Sequence, residues 1–196
     1  MIPQQANISG GRINSMISNF SKTVTLKDGR TVVLRYPLPD DAQRLIEYIN
    51  PIVREPARIL LNVEQTLEEE QEYLAKYFTK AREGDVIKIL ALVENKIVGI
   101  SDMRRQPYKQ KHIGLFGVSV CLAYRGVGLG KILANEVLAQ AKTELKLRMA
   151  VLTVFAKNIP AISLYKKLGF QEYGILPDGL FHDGAYENEV FMYKNL

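Results

Sequence analysis

The chain of 196 residues contains no tryptophan, one cysteine (Cys121) and two histidines (His112 and His182). A single thiol excludes an intrachain disulfide, and so few imidazoles and thiols offer no ligand set spaced for zinc or another transition metal, so no metal is expected. No run of about 18 apolar residues could span a bilayer, and the N-terminus lacks a basic segment followed by an apolar stretch. A cytoplasmic protein without a membrane segment is expected. Charge of one sign is also scarce: 26 basic against 21 acidic residues leave a net charge of +5. That excess suits an anionic ligand, but no aromatic-basic ribbon or groove-reading helix accompanies it, so nucleic acid is not an expected partner.

What is present is ordinary for one globular domain, with 47% hydrophobic and 24% charged residues. Residues 1–22 are rich in Ser, Asn and Gly and read as an N-terminal arm, loose or forming a short docking helix, with residues 23–196 as the domain proper. The β-formers 23–26 and 31–36 flank an Asp28-Gly29 turn, which predicts a hairpin. Leu45, Ile46 and Ile49 predict a helix that stops at Asn50-Pro51. Thr66 and Glu69 make a capping box for a second helix with a stripe of Leu67, Leu74, Phe78 and Ala81; residues 51–65 before it read as part of a substrate wall. Runs at 86–93, 97–103 and 113–122 predict antiparallel strands. A helix carrying Leu129, Ile132, Leu133, Val137 and Ala141 leads to a strand at 149–155, parallel to the one before the helix. Asn158 predicts a cap for a last helix through Leu168, and 170–175 with 189–193 predict a closing hairpin with a long connection. The fold class is therefore α/β, a mixed, mostly antiparallel twisted sheet flanked by helices.

The sharpest local signal is the passage from strand to helix through Val118, Ser119, Val120, Arg125, Gly126, Val127, Gly128, Leu129, Gly130 and Lys131. Glycines let the chain turn tightly and approach a ligand closely, while the free N–H groups of a helix's first turn face anionic oxygens. Arg125 and Lys131 add positive charge. A triphosphatase loop is excluded because Ile132 follows Lys131 where a Mg²⁺-binding hydroxyl is needed, and the glycine spacing differs from the dinucleotide fingerprint.

The spacing Arg125-x-x-Gly128-x-Gly130, with a second element Asn158-x-x-Ala161-x-x-Leu164-Tyr165-x-x-Leu168-Gly169-Phe170, resembles the GNAT superfamily of acyl-CoA-dependent N-acetyltransferases. The resemblance covers residues 23–196 in element order, and the two motifs are its specific part. It implies a GNAT-like fold, acetyl-CoA as co-substrate, an amine acceptor, either a small molecule or a protein, and direct attack in a ternary complex. It implies that pantetheine lies along Val118, Ser119 and Val120, the pyrophosphate on residues 126–131, and Asn158 and Ala161 beside the cofactor. It further implies that Tyr165 protonates the leaving thiolate. A homodimer is among the arrangements open to such a chain.

The base that would free the acceptor amine is not evident. Leu115 and Thr153 stand where relatives carry carboxylates, which leaves His112 as a candidate catalytic residue and Asp102, Glu187 and Glu189 as candidates for binding a cationic amine. Cys121 has no histidine partner that would make it a nucleophile. The alternative reading is a catalytically silent acyl-CoA-binding sensor or interaction module. Short likenesses point both ways on the acceptor: residues 28–41 look like the opening of protein-lysine acetyltransferases, residues 181–186 like a segment of small-molecule acetyltransferases.

Overall fold

A computed structural model describes residues 20–55 and 59–196. Residues 1–19, most of the expected arm, and residues 56–58 of the expected substrate wall lie outside the described residues. The strands are β1 (Ser21–Thr25), β2 (Thr31–Arg35), β3 (Val86–Val93), β4 (Lys96–Arg105), β5 (Ile113–Val120), β6 (Met149–Phe155), β7 (Gln171–His182) and β8 (Ala185–Asn195). The helices are α1 (Ala42–Arg54), α2 (Leu67–Arg82), α3 (Leu129–Thr143) and α4 (Ile159–Lys167). The strands form one eight-stranded sheet in the order β1-β2-β3-β4-β5-β6-β8-β7. Every neighbouring pair is antiparallel except β5 with β6. β1 begins at Ser21, two residues before the expected start of the domain.

Strand alternation sorts the side chains onto two faces. Ile87, Ile89, Met103, Phe116, Ala150, Leu152, Val190 and Met192 point to one side, where Leu129, Leu133, Val137 and Ala141 of α3 meet them with Tyr165 and Leu168. Val86, Leu90, Leu92 and Ile97 point to the other, against Leu45, Tyr48 and Ile52 of α1 and Leu74 and Tyr77 of α2. α1 and α2 cover only the first half of that second face. Beyond them Leu115, Gly117, Val151, Thr153, Phe191 and Tyr193 are half-buried.

Three local expectations are corrected. Pro51 does not stop α1, which continues to Arg54. An interior proline costs roughly 3 kcal/mol, and two contacts offset it: Ile52 is fully buried, worth roughly 1.5–3 kcal/mol, and the Asn50 side chain bonds both N–H and C=O of Gln65 at 2.8 and 2.9 Å. The α2 stripe runs through Glu70, Leu74 and Tyr77, with Phe78 and Ala81 packed beside it as expected and Leu67 exposed; the capping box of Thr66 and Glu69 is present. The connection between the last two strands is short rather than long. β7 and β8 extend to an Asp183-Gly184 turn whose two residues both have positive φ, the geometry of a tight hairpin turn. Bulges at 172–174 and 176–180 absorb the irregular stretch around Pro177.

The start of α1 depends on one buried carboxylate. Asp41 is fully buried and receives both Arg35 guanidinium nitrogens at 2.6 and 2.7 Å and the Leu38 N–H at 2.7 Å. Burial raises its pKa, but the bonds from Arg35 and Leu38 and the Arg44 charge outweigh it, and the carboxyl sits below its usual value. Removing one member of a buried pair costs roughly 3–5 kcal/mol. Asp41→Asn should lower the unfolding free energy by about that amount in urea titration. Because the folded pKa is depressed, the contribution is complete above the unfolded carboxylate value of about 4 and disappears as pH falls through the folded value. The wild type should lose stability over that acid window, and the variant's curve should be flatter there.

Candidate functional site

β5 and β6 pair only through Ile113 with Met149, Gly114 with Ala150 and Leu115 with Val151. After Leu115 the strands part, so Val118, Ser119 and Val120 pair with Ser101, Ile100 and Gly99 of β4 on one side alone. Their backbone groups facing β6 are left without a strand partner. Past Val120 the chain takes a short turn at Leu122–Tyr124 and enters the glycine loop; β5 thus ends two residues before the expected Leu122.

Gly126 and Gly128 have φ of 78° and 96°, which side chains other than glycine's rarely tolerate. Gly128 occupies the N-cap of α3 and contributes no side-chain cap. The N–H of Ile132 makes the bond to the Gly128 carbonyl at 3.1 Å, so the amides of Leu129, Gly130 and Lys131 are spare donors at the positive end of a 15-residue helix. A Cβ on Gly130 would make ordinary contacts with Leu164 at 3.4 Å and Val120 at 3.7 Å, so packing there does not demand the third glycine.

Two braces that the sequence did not announce fix this loop. The turn between β1 and β2 lies against it: the Lys27 N–H donates to the Val127 carbonyl at 3.2 Å, and the Lys27 side chain packs on Gly128. Arg30 donates to the Ala123 carbonyl at 2.9 Å and stacks over Tyr124 at 4.0 Å. Arg125 turns back, its Nε donating to the Val120 carbonyl at 2.8 Å and a terminal nitrogen pairing with Glu55 at 3.0 Å. Arg125 therefore shapes the end of β5, whereas the Lys131 side chain stays exposed beside the helix head.

Asn158 caps α4 by accepting the Ala161 N–H at 3.3 Å. One turn on, Tyr165 is buried between Phe116 (ring centroids 6.3 Å apart, edge-on) and Phe170 (5.9 Å). Burial alone pushes its phenol up to about 12, so it stays protonated through the neutral range. On the other face the Tyr48 and Ser119 hydroxyls are 2.7 Å apart. Burial raises the Tyr48 pKa, with the Ser119 hydrogen bond acting against it. Nothing local to Tyr48 ties it to Ser119, which is distant in the chain, so sequence reasoning did not single it out.

The candidates for acceptor chemistry separate. His112 is exposed at the start of β5, with its carbonyl bonded by the Arg148 and Met149 N–H groups. It lies at the paired end of β5, about 26 Å of extended chain from Val120; the structure does not bring it to the mouth between the strands. Cys121 is half-buried, and burial followed by the Glu55 charge pushes its thiol up, the opposite of what a nucleophile needs. Glu187 is buried, with Lys157 at 3.8 Å, and Glu189 is partly exposed opposite Phe155. Asp102 lies beside Gly117 on the open half of the second face. Among the described residues no helix is long and apolar enough to cross a membrane, and no group of three or more His, Cys, Asp or Glu side chains could hold a metal ion.

Comparison with known proteins bears on this arrangement. Residues 49–170 match the family model described as the acetyltransferase (GNAT) family. The chain is 28% identical over 107 residues to an L-amino acid N-acetyltransferase of Escherichia coli, a match covering 54% of this chain and 65%, just under two thirds, of the relative's length. Among solved structures it is similar to a GNAT-family acetyltransferase from Streptococcus pneumoniae, with 29% identity, a TM-score of 0.77, and coverage of 84% of this chain and 99% of that one. It shares its fold with a phosphinothricin acetyltransferase from Sinorhizobium meliloti, solved in complex with AcCoA, at 20% identity and a TM-score of 0.74, over 84% of this chain and 88% of that one. With the parted strands, the uncapped head of α3 and a family match across more than half its length, this chain belongs to the GNAT acetyltransferase family.

Proposed function

We propose that the protein transfers an acetyl group from acetyl-CoA to a primary amine by direct attack within a ternary complex. The observation that carries this reading is the pair of backbone sets at one end of β5 that no strand or cap takes up: the amides of Leu129, Gly130 and Lys131, and the edge of Val118–Val120, of which Arg125 holds only the Val120 carbonyl. The residues fit a long thioester with an anionic diphosphate, because helix-head amides accept anions without a cation and an open strand edge accepts an amide-bearing arm. Bound there, acetyl-CoA would supply the activated acyl group.

The chain's own residues divide the remaining work. Gly126 and Gly128 hold the loop so that its N–H groups converge on the diphosphate, and Lys131 adds charge at the rim. A backbone N–H near Val120 is the proposed donor to the oxygen that gains charge during transfer. Tyr165 keeps a proton on its phenol and gives it to the departing sulfur. Ala161 and Asn158 line the arm's path, with Asn158 also serving as the cap of α4. His112 has no part in this scheme. The acceptor must arrive from the open half of the second face, since α3 and α4 occupy the first; its ammonium, with a reference pKa of about 10 for a lysine-type amine, sheds its proton to water on arrival.

Calorimetric titration with acetyl-CoA and release of free thiol in the presence of an amine panel test the reading. Binding with turnover supports it; binding without turnover of any amine leaves a silent coenzyme-binding module; absence of binding removes the reading. Tyr165→Phe should lower kcat by about tenfold or more while coenzyme affinity changes by less than about threefold, in keeping with the 10²–10⁴ range of acid–base contributions. Gly128→Ala forces a left-handed conformation on a residue with a Cβ, at roughly 1–2 kcal/mol. If that strain shifts the amides, coenzyme affinity should fall about tenfold, measured by the same calorimetry.

A further inference from the structure

The open half of the second face holds a compact set of charges that the cofactor reading does not use. Lys88, Asp102 and Gly117 lie side by side across β3, β4 and β5, and Arg104 lies beside Leu115 one row further from the mouth. A Cβ on Gly117 would sit 2.8 Å from Asp102 Oδ1, so the absence of a side chain there lets the carboxylate lean over β5. The other carboxylate oxygen, Oδ2, meets Arg104 Nε at 3.3 Å. The Asp102 side chain is 15% exposed and that of Arg104 57%. Lys88 is buried under Tyr73, with its ammonium 5.1 Å from the ring centroid; burial works against its charge, but the attraction of Asp102 together with the charge and hydrogen bond of Tyr73 outweighs this and raises its pKa. Lys88 thus lies between Asp102 and Glu70, and Arg104 pairs with Asp102 from the surface side.

We infer that Asp102 and Arg104 form a cradle for a zwitterion, and that the acceptor is a free α-amino acid whose ammonium lies on Asp102 and whose carboxylate lies on Arg104. The inference rests on the acetyl-transfer reading and names its substrate class. Orientation supports it. Asp102 lies in the row of Gly117, beyond the last β5–β6 pair, while Arg104 lies in the row of Leu115, at that pair. Rows on one face are about 6.7 Å apart, so an amino acid seated across the two side chains points its nitrogen at the gap and its carboxylate away from it. The chemistry matches as well: Arg104 keeps an exposed guanidinium, the group best shaped to take a carboxylate in two parallel bonds. Between Arg104 and the far strands the same face carries Leu115 and Val151, half-buried apolar neighbours for the substrate's side chain. A peptide N-terminus or a simple alkylamine presents no carboxylate beside its nitrogen and leaves Arg104 unused.

The test compares L-leucine, L-leucinamide and the dipeptide Leu-Gly as acceptors, with coenzyme binding followed separately by calorimetry. The wild type should show kcat/KM for leucine about tenfold or more above that for either carboxylate-blocked acceptor, the scale of one charge-assisted interaction. Arg104→Gln, a change at an exposed side chain, should bring the leucine-to-leucinamide ratio to about one. Asp102→Asn should raise KM for leucine about tenfold with less change in kcat. A structural role for Arg104 would lower both acceptors alike and leave the ratio unchanged, which overturns the inference, as does a wild type that prefers the dipeptide or the amide. Coenzyme binding without acetylation of any of the three removes the cradle and leaves the coenzyme site standing; failure to bind coenzyme removes both.

Discussion

The structure depends on the parting of two parallel strands after a few residues of pairing. Continued pairing of β5 with β6 would consume the backbone groups of Val118–Val120 and close the sheet over the place where an acyl group would have to lie. The sheet remains whole because each strand has a full partner on its other side, β4 for β5 and β8 for β6. Phe116, Tyr165 and Phe170 pack together on the face beneath the point of parting. Their burial offsets part of the cost of unmade strand bonds, and it also sets the environment of the Tyr165 phenol.

The second constraint is backbone donors left without acceptors. An α-helix begins with N–H groups that need partners, and most helices use a Ser, Thr, Asp or Asn cap, as Thr66 does for α2 and Asn158 for α4. α3 has Gly128 there and no such side chain. A helix head that forgoes its cap at the end of a strand with an open edge is consistent with a ligand that completes both. The braces from Lys27, Arg30 and Arg125 hold the loop in a shape that glycine residues alone would not keep.

Much of this was legible locally. The hairpin at Asp28-Gly29, the Thr66 capping box, the heptad-like stripe of α3 and the glycine loop are short-range signals, since turn type, capping and amphipathic period are written within about ten residues. Errors arose where a local rule met a distant contact. Pro51 reads as a stop, yet Ile52 and the Asn50–Gln65 bonds carry the helix past it. Pro177 and the polar residues around it read as a loop, yet paired bulges keep them in the sheet. His112 and Asp102 looked alike as titratable residues on neighbouring strands; only the direction of β5 separates the end that pairs from the end that opens.

By itself the sequence determined that this is an α/β chain with a glycine turn between a strand and a helix, because glycine conformational freedom and helix periodicity are properties of a few adjacent residues. The tertiary structure decided which side chains share the open face. Lys88, Asp102, Gly117 and Arg104 come together by strand register, and Tyr48 reaches Ser119 from a helix that is distant in the chain. Register is set by the packing of two whole hydrophobic layers on the sheet, and no short stretch of residues contains that information.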